Sequence, residues 1–358
     1  MLTPTPVGIR LAVALTVALA NGAAWAFKDV IARPSIQSER AAQSLLLAVT
    51  RAGSRLVAVG ERGIALLSDD NGKSWRQARV PVSVTLTGVR FIDAKLGWTT
   101  GHSGVLLSTS DGGETWSKRL DGSELAKIVL DAELAKGVAA KPAELSEAQR
   151  LVADGPDKPL LDVCFLSPQL GFVAGAYGLF LRTADGGKTW APWQSRLPNL
   201  QGRHLTRIAA VNGDLYIVGE QGRAYLSTDR GSTFHELRSP YRGSFFGIAA
   251  LPGNAVAIFG LRGNVFRVAK LGTAWTRLAT PTPATYSASA QLASGDAVIA
   301  SQTGDLLRSV DGGASLAPVP TTLHTLASAV AEAPDGALII AGRGMTRLVL
   351  NGAKGDGR

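Results

Sequence analysis

Five aspartates recur in one short pattern, and they are the first residues of this sequence that could carry chemistry. The pattern reads Ser/Thr-x-Asp-x-Gly-x-Thr/Ser and usually ends in Trp or Phe, as in TSDGGETW at 109–116. Carboxylates serve as general acids, nucleophiles and calcium ligands. The same placement in every copy indicates a structural task instead, because a short carboxylate can accept hydrogen bonds from the N–H groups of its own turn. We therefore interpret as turn scaffold the residues Asp70, Asp111, Asp185, Asp229 and Asp311.

Cysteine and histidine offer little other chemistry. The chain has one cysteine, Cys164, and four histidines, which are His102, His204, His235 and His324. One thiol cannot form an intramolecular disulfide, and the sequence has no CxxC pair or Cys/His cluster for zinc. None of the histidines lies in a recognised nucleophile motif. The sequence therefore predicts no catalytic residues, no metal site and no cofactor.

A repeat of about 41 residues positions the aspartate pattern. Most copies pair the aspartate with an upstream turn of the form Gly-x-x-Gly, and successive turns start 41, 74, 44, 41, 41 and 41 residues apart. Two motifs that share one period make chance repetition a poor explanation. The turns, of which the last two are altered, lie at 60–63, 101–104, 175–178, 219–222, 260–263, 301–304 and 342–345.

Short runs of β-type composition fill each repeat. Examples are LTGVRFI at 86–92 and GVLLST at 104–109, and the repeat length leaves room for about four strands. Four strands in about forty residues predict the blade of a β-propeller rather than a helical repeat. We predict an all-β, seven-bladed propeller over 27–350, followed by a polar tail at 351–358. The last repeat shows three strands, and we expect 27–36 or the tail to supply the fourth.

One interval is 33 residues longer than the period and falls between the second and third repeats. Ser123 can cap a helix of amphipathic spacing, and Gly137 can end it. Pro142 suits the first turn of a second helix that ends near Gly155. The sequence thus predicts a helical hairpin at about 121–158. Its apolar stripes either pack on the propeller or serve as a docking element for a partner or a membrane.

The N-terminus has the pattern of an export signal. Arg10 precedes an uncharged stretch of 17 residues that ends at Phe27, and the stretch contains the small-x-small site Ala24-Trp25-Ala26. We expect cleavage after Ala26, which makes 1–26 a signal peptide and the mature protein periplasmic. The alternative is an uncleaved anchor, for which this length is at the lower limit. No cysteine lies near the cut, so a lipid anchor is not predicted.

The aspartate pattern is the Asp box, or BNR repeat, and with the seven Gly-x-x-Gly turns it makes the chain resemble the photosystem II stability and assembly factor family. The resemblance covers essentially the whole mature chain. It implies a non-enzymatic propeller that binds other proteins and assists the assembly or stability of a membrane or envelope complex. Asp boxes also occur in sialidases and other glycosidases, so glycosidase activity is the alternative function.

Few residues support the glycosidase alternative. Acid–base hydrolysis needs two carboxyl groups about 5 to 9.5 Å apart, whereas the obvious pair, Glu61 and Glu220, belongs to blades one and four, roughly opposite each other on the ring. Sialidase-like enzymes usually carry an Arg-Ile-Pro element, which this sequence lacks. The tyrosines that could act as a nucleophile occupy ordinary strand or turn contexts; they are Tyr177, Tyr216, Tyr225, Tyr241 and Tyr286.

Recognition residues are expected on the face that carries the Gly-x-x-Gly turns. In a blade, the turn between strands two and three and the crossover to the next blade point to one face, and the Asp box points to the other. The turn frame is constant while its interior residues vary, which suits recognition by a repeat protein. A solvated charged surface is the alternative interpretation. The predicted partner-binding residues are Arg62, His102, Tyr177, Glu220, Arg262, Gln302 and Arg343.

The overall charge bears on the class of partner. The chain has 37 Lys and Arg against 28 Asp and Glu, a net charge of +9. The cations are scattered singly without a run of five, so nucleic acid is not a predicted partner. Acidic protein surfaces or anionic headgroups fit this charge better. We expect protein partners among the subunits of a membrane or envelope complex, no small-molecule substrate, and a monomer.

Overall fold

The computed structural model describes residues 30–321 and 325–350, so the predicted signal peptide and the polar tail lie outside the described residues. Within them the chain forms seven antiparallel sheets, one after another along the sequence. Six sheets have four strands and the seventh has three. We call these sheets blades one to seven.

The strands of the first three blades follow in chain order. Blade one contains β1 (Leu46–Ala52), β2 (Arg55–Gly60), β3 (Ala65–Ser68) and β4 (Arg76–Gln77). Blade two contains β5 (Leu86–Phe91), β6 (Gly97–Gly101), β7 (Leu106–Thr109) and β8 (Ser117–Leu120). Blade three contains β9 (Leu160–Phe165), β10 (Gly171–Gly175), β11 (Phe180–Thr183) and β12 (Ala191–Pro192).

The last four blades repeat this order. Blade four contains β13 (Leu205–Val211), β14 (Asp214–Gly219), β15 (Ala224–Ser227) and β16 (His235–Glu236). Blade five contains β17 (Phe245–Leu251), β18 (Ala255–Gly260), β19 (Val265–Val268) and β20 (Trp275–Leu278). Blade six contains β21 (Tyr286–Gln291), β22 (Ala297–Ser301), β23 (Leu306–Val310) and β24 (Ser315–Pro318). Blade seven contains β25 (Ala329–Glu332), β26 (Leu338–Gly342) and β27 (Gly344–Leu348).

The blades close into a ring around their first strands. The first strand of each blade lies against the first strands of the blades before and after it, and β1 lies against β25. The predicted seven-bladed propeller is therefore confirmed. Its core consists of seven apolar clusters, each built from two neighbouring blades. Each sheet has one neighbouring blade on either face, which explains why the second strands are buried almost throughout.

The aromatic residue that ends an Asp box packs back on the preceding blade. Phe234 of blade four meets Phe180 of blade three edge-on, with 5.4 Å between ring centroids. Trp116 is buried in the cluster between blades one and two, and Trp190 in the cluster between blades two and three. Each aromatic ring thus joins two blades, a large apolar contribution per residue.

The insertion after blade two is the predicted helical hairpin. It contains α1 (Gly122–Leu134) and α2 (Pro142–Asp154). The predicted cap at Ser123 is wrong, because Asp121 caps α1: its carboxylate accepts the N–H groups of Ser123 and Glu124, and the Glu124 carboxylate accepts the N–H of Asp121. Leu125 and Val129 of α1 are buried in the cluster between blades two and three. One apolar stripe therefore packs on the propeller.

The predicted closure of blade seven by 27–36 is wrong for the part of that segment that the structure describes. Residues 30–36 run beside the crossover from blade one to blade two, where Ser83 N–H donates to Val30 O (2.8 Å) and Ser35 N–H donates to Val80 O (3.0 Å). Residues 44 and 45 do reach blade seven, since Gly344 N–H donates to Ser44 O (2.9 Å). Residues 44 and 45 therefore occupy the position of a crossover between blades and not that of a fourth strand.

Neither helix of the described residues is long and apolar enough to cross a bilayer.

Candidate partner-binding face

One hydrogen bond recurs in six of the Gly-x-x-Gly turns and holds their frame. The first interior residue donates its N–H to the carbonyl just before the first strand of the same blade, as Glu61 does to Leu45 (2.9 Å) and Glu220 does to His204 (3.1 Å). In five turns the second interior residue has a φ of 54–56°. These five turns therefore share one conformation while their side chains differ. We call the surface formed by the corresponding turns of all seven blades the turn face.

The predicted recognition residues of this face differ in how free they are. Six are exposed: Arg62, His102, Tyr177, Arg262, Gln302 and Arg343. Glu220 is half-buried, and its carboxylate accepts the N–H of His204 (3.0 Å). Glu61 accepts the N–H of Leu45 in the same way (2.9 Å). These two carboxylates are part of the turn frame. The repeat pattern of the sequence did not reveal this role.

A cation–aromatic cluster surrounds Tyr177. This residue is 55% exposed, with the His204 ring 4.9 Å away and the Lys158 ammonium 5.1 Å from the ring centroid. The Tyr177 N–H donates to Nδ1 of His204 (3.0 Å). Ion pairs with Asp157 and Asp154 raise the pKa of Lys158, so this amine stays charged. The spacing of the repeats gave no signal for Lys158, because it follows the insertion and meets Tyr177 only when β9 and β10 of blade three pair.

The helical hairpin adjoins the turn face. α1 contacts the turn His102–Gly104 of blade two, and Gly122 lies so close that a Cβ on Gly104 would come within 2.5 Å of its Cα. At the far end of the hairpin, Leu134 and Val138 are exposed. The hairpin and the turns thus form one continuous surface, with apolar side chains at one side.

A buried ion cluster joins the first strands of blades two, three and four, and the sequence analysis missed it. Asp162 is fully buried, and its Oδ2 accepts the N–H of Ile208 (3.1 Å). The same oxygen lies 3.4 Å from Arg207 and 3.8 Å from Arg90. Its Oδ1 has no hydrogen-bond partner among the described residues. The position of Asp162 in the first strand is occupied by Ala48 in blade one and by Gly88 in blade two. A charged residue at this position of blade three is the signal that could have revealed the cluster.

Four Asp boxes have the same hydrogen-bond geometry. In blade three, Asp185 accepts the N–H groups of Lys188 and Thr189 at 3.1 and 3.0 Å and the hydroxyls of Thr189 and Thr183 at 2.5 and 2.8 Å. The hydroxyl bond from Thr189, followed by the backbone bond, lowers the pKa of Asp185 to about 2. Corresponding bonds from Ser74 and Thr233 lower the pKa values of Asp70 and Asp229 to about 2. The carboxylates thus point into their own turns.

The box of blade six departs from this geometry. Asp311 itself has a φ of 53°, and it accepts the hydroxyl of Ser315 (2.7 Å). Ser309, the first residue of this box, donates no bond to it and instead accepts the N–H of Ala297 (2.8 Å). The aspartate therefore lies at a shifted position in a similar loop.

The depressed pKa values predict a pH dependence of folding. A carboxyl group whose pKa is lower in the folded than in the unfolded protein adds stability above the unfolded pKa and loses it as pH falls through the folded pKa. We expect the urea concentration at the unfolding midpoint to decrease as the pH is lowered from about 4 to about 2. Asp185→Asn should lower the midpoint at pH 7 and reduce this acid-dependent loss, whereas Asp131→Asn on the exposed side of α1 should change neither.

Cys164 and four of the five tyrosines, all except Tyr177, are buried or hydrogen-bonded. Burial, followed by the charge of Asp162, raises the pKa of Cys164 to about 12. Burial likewise raises the pKa of Tyr225 to about 12, and Tyr216 and Tyr286 are buried as well. Tyr241 donates its hydroxyl to Leu261 O (3.1 Å). The described residues contain no group of three or more His, Cys, Asp or Glu side chains that could hold a metal ion.

The ring, the boxes and the turn face define the class of protein, an Asp-box β-propeller with a helical insertion. Residues 67–133 and 142–322 match the model of the family described as Photosynthesis system II assembly factor YCF48. Because the match covers more than half of the chain, the chain belongs to this family.

Two curated relatives match shorter stretches. The chain is 31% identical over 91 residues to the Photosystem II stability/assembly factor HCF136, chloroplastic, of Cyanidioschyzon merolae, which is 25% of this chain and 20% of that protein. It is 25% identical over 193 residues to the Photosystem II assembly lipoprotein Ycf48 of Synechococcus sp. (strain CC9902), which is 51% of this chain and 49% of that protein. The chain thus aligns with about half or less of the length of these relatives.

Solved structures share the fold at low identity. A structure of YCF48 bound to D1 peptide superposes with a TM-score of 0.63 at 16% identity, covering 88% of this chain and 95% of that chain. Virginiamycin B lyase from Staphylococcus aureus superposes with a TM-score of 0.65 at 11% identity, covering 88% and 97%. At these identities the likeness establishes the propeller alone, which is a fold that serves binding proteins and enzymes alike.

Proposed function

We propose that this protein is a non-enzymatic, exported propeller that binds polypeptide partners and assists the assembly or stability of a membrane or envelope complex. The observation that carries the proposal is the turn face, where a constant backbone frame presents side chains that differ from blade to blade. Membership of the YCF48 family supports an assembly role. The relative solved with a D1 peptide bound supports a polypeptide as the ligand.

The chemistry of the face fits a polypeptide partner. Tyr177 is an exposed aromatic ring flanked by a cation, which is the type of residue that dominates binding energy at protein interfaces. Arg62, Arg262 and Arg343 are exposed on other blades of the same face and give it a basic character. Such charges favour association with an acidic surface and make it sensitive to salt. A periplasmic location follows from the predicted signal peptide, and a relative named as a lipoprotein supports export.

Glycosidase activity is a weaker candidate. Glu61 and Glu220 belong to different blades and are each occupied by a backbone N–H. The Asp-box carboxylates are directed into their own turns, and most tyrosines are buried or hydrogen-bonded. Neither the pair Glu61 and Glu220 nor the Asp-box carboxylates therefore offer two free carboxylates in a common cleft, and we assign no catalytic residue.

Charge reversal tests the face directly. The triple variant Arg62→Glu, Arg262→Glu, Arg343→Glu should weaken capture of partners from the native host at least tenfold and flatten its salt dependence, because screened attraction is lost. The matched control reverses three exposed cations on the Asp-box face: Lys73→Glu, Lys188→Glu and Arg230→Glu. Chemical crosslinking and affinity purification would measure capture. Loss of capture by the control with normal capture by the first variant would place the site on the opposite face.

A further inference from the structure

Blade seven lacks a feature that four of the six complete blades share. In blades one, three, four and six, the residue after the fourth strand donates its N–H to the carbonyl at the start of the third strand. We call it the anchor residue. The bonds run from Ala78 to Ala65, Trp193 to Phe180, Leu237 to Ala224 and Val319 to Leu306, at 2.7–2.9 Å. Every anchor is apolar, and residues 325–350 contain no fourth strand that could supply one.

Within 30–321 and 325–350, no strand pairs with the outer edge of β27. The third strands β3, β7 and β15 are buried at every residue. All five residues of β27 are half-exposed instead. Met345 and Leu348 pack on the clusters beside blade seven with one side of their side chains. At five residues β27 is also longer than the outermost strands of the complete blades, which have two to four. Edges are normally kept short, because a long free edge accepts another strand.

Two other segments of the chain are poor fillers of this position. Residues 30–36 are bound to the crossover between blades one and two. The anchors Ala78, Trp193 and Leu237 each follow the last residue of the third strand by ten positions, and the same count from Leu348 gives Arg358. Residues 351–358 include three glycines and two cations, a composition with low β propensity.

The surroundings of the edge favour an acidic strand. Arg343 is exposed in the turn that leads into β27, and Arg40 is exposed beside the short helix Ala41–Gln43, which contacts β27. Neither arginine pairs with an acidic residue within 30–321 or 325–350. A segment with the charge of 351–358 would add cations to this site, whereas an acidic segment would complement it.

We propose that the outer edge of β27 accepts an extended, acidic segment of a partner polypeptide, which adds as the fourth strand of blade seven and places an apolar side chain at the vacant anchor position. This strand addition rests on the proposed function and specifies how the partner is held. Backbone hydrogen bonds supply affinity, and the anchor pocket and the arginines supply selectivity. The site lies at the rim of the turn face, beside Arg343.

A peptide copied from the protein's own blade five tests the site. The probe is the labelled peptide AWTELAT, which is the sequence 274–280 with Glu in place of Arg277. It keeps Leu278, which ends the fourth strand of blade five and pairs there with Val265 at the start of the third strand, the position that the anchors meet in other blades. We expect saturable binding by fluorescence anisotropy and at least tenfold slower amide exchange in the segment 344–348, apart from Gly344, whose N–H already donates to Ser44 O. AWTEDAT, without the anchor, and AWTKLAT, with reversed charge, should each bind at least tenfold more weakly. The exchange of 275–278 is the internal control and should not change.

Other occupants give different results. If 344–348 exchange slowly without peptide and become fast after deletion of 351–358, the chain's own tail fills the position and the proposal is wrong. Protection that grows with protein concentration would assign the edge to a second copy of the chain. Absence of peptide-dependent protection at 344–348 would also overturn it. The outcome is separable from the proposed function with the double variant Arg62→Glu, Arg262→Glu, which leaves Arg343 in place. This variant can lose partner capture while peptide binding at β27 persists, and peptide binding can be absent while capture persists.

Discussion

Asp162→Ala is expected to lower the free energy of unfolding by about 3 kcal/mol, because removing one member of a buried ion pair leaves the other charge uncompensated. Asp162 is fully buried and faces Arg207, which is itself largely buried. The substitution also removes the acceptor of the Ile208 N–H. Urea unfolding followed by circular dichroism measures the effect, and Asp162→Asn should be milder because an amide oxygen can still accept that N–H.

An exposed ion pair provides the control for this prediction. Asp69 binds Arg55 at 2.6 Å, but its side chain is 52% exposed. Exposed pairs contribute about 0.2 to 1 kcal/mol, so Asp69→Ala should cost much less than Asp162→Ala. Equal costs would show that the cluster between blades two and four does not depend on its buried charge.

Gly222→Ala is expected to lower the free energy of unfolding strongly, and Gly213→Ala provides a matched control. Gly222 ends the turn of blade four with a φ of +74°, and a Cβ there would lie 1.8 Å from the Tyr241 carbonyl oxygen. Positive φ alone costs alanine about 1–2 kcal/mol, and displacing the crossover backbone raises the expected cost to about 4 kcal/mol or more. The same unfolding measurement gives the value.

Gly213→Ala separates the two causes. Gly213 has a φ of +89°, but no atom lies within 4 Å of the position that its Cβ would take. Its substitution should therefore cost about 1–2 kcal/mol, which is the conformational part alone. If the two variants were equally stable, close packing of the crossover on the turn would not be the reason for the second glycine.

The turn frame illustrates a partial success of sequence reasoning. The spacing of Gly-x-x-Gly predicted a recurrent turn and the face on which it lies. It did not show why glycine is needed at both ends, which is that crossover carbonyls press on them: Leu45 O would lie 2.1 Å from a Cβ on Gly60, and Val82 O 2.0 Å from one on Gly63. These contacts join residues 15 to 19 positions apart, and their closeness depends on the packed blade.

The helical insertion shows a similar limit. The extra length, Pro142 and Gly155 predicted two helices with nearly correct ends. Both Asp121 and Ser123 are good caps by residue type. The choice fell to Asp121 because β8 ends at Leu120 and Glu124 is then placed to complete the capping box. The sequence thus contains two possible capping residues, and the end of the preceding strand determines which of them caps the helix.

The number and order of blades were determined by the sequence itself. Turn chemistry and a period of about 41 residues act within each repeat, so they can be read without knowledge of the ring. Tertiary structure alone decided which groups meet between repeats. Tyr177 and His204 are 27 residues apart, and Asp162 and Ile208 are 46 apart. Each pair comes from two blades, and the contact exists because ring closure sets neighbouring blades side by side. The open edge of β27 has the same origin, since it is defined by a strand that six other blades possess and that 325–350 do not contain.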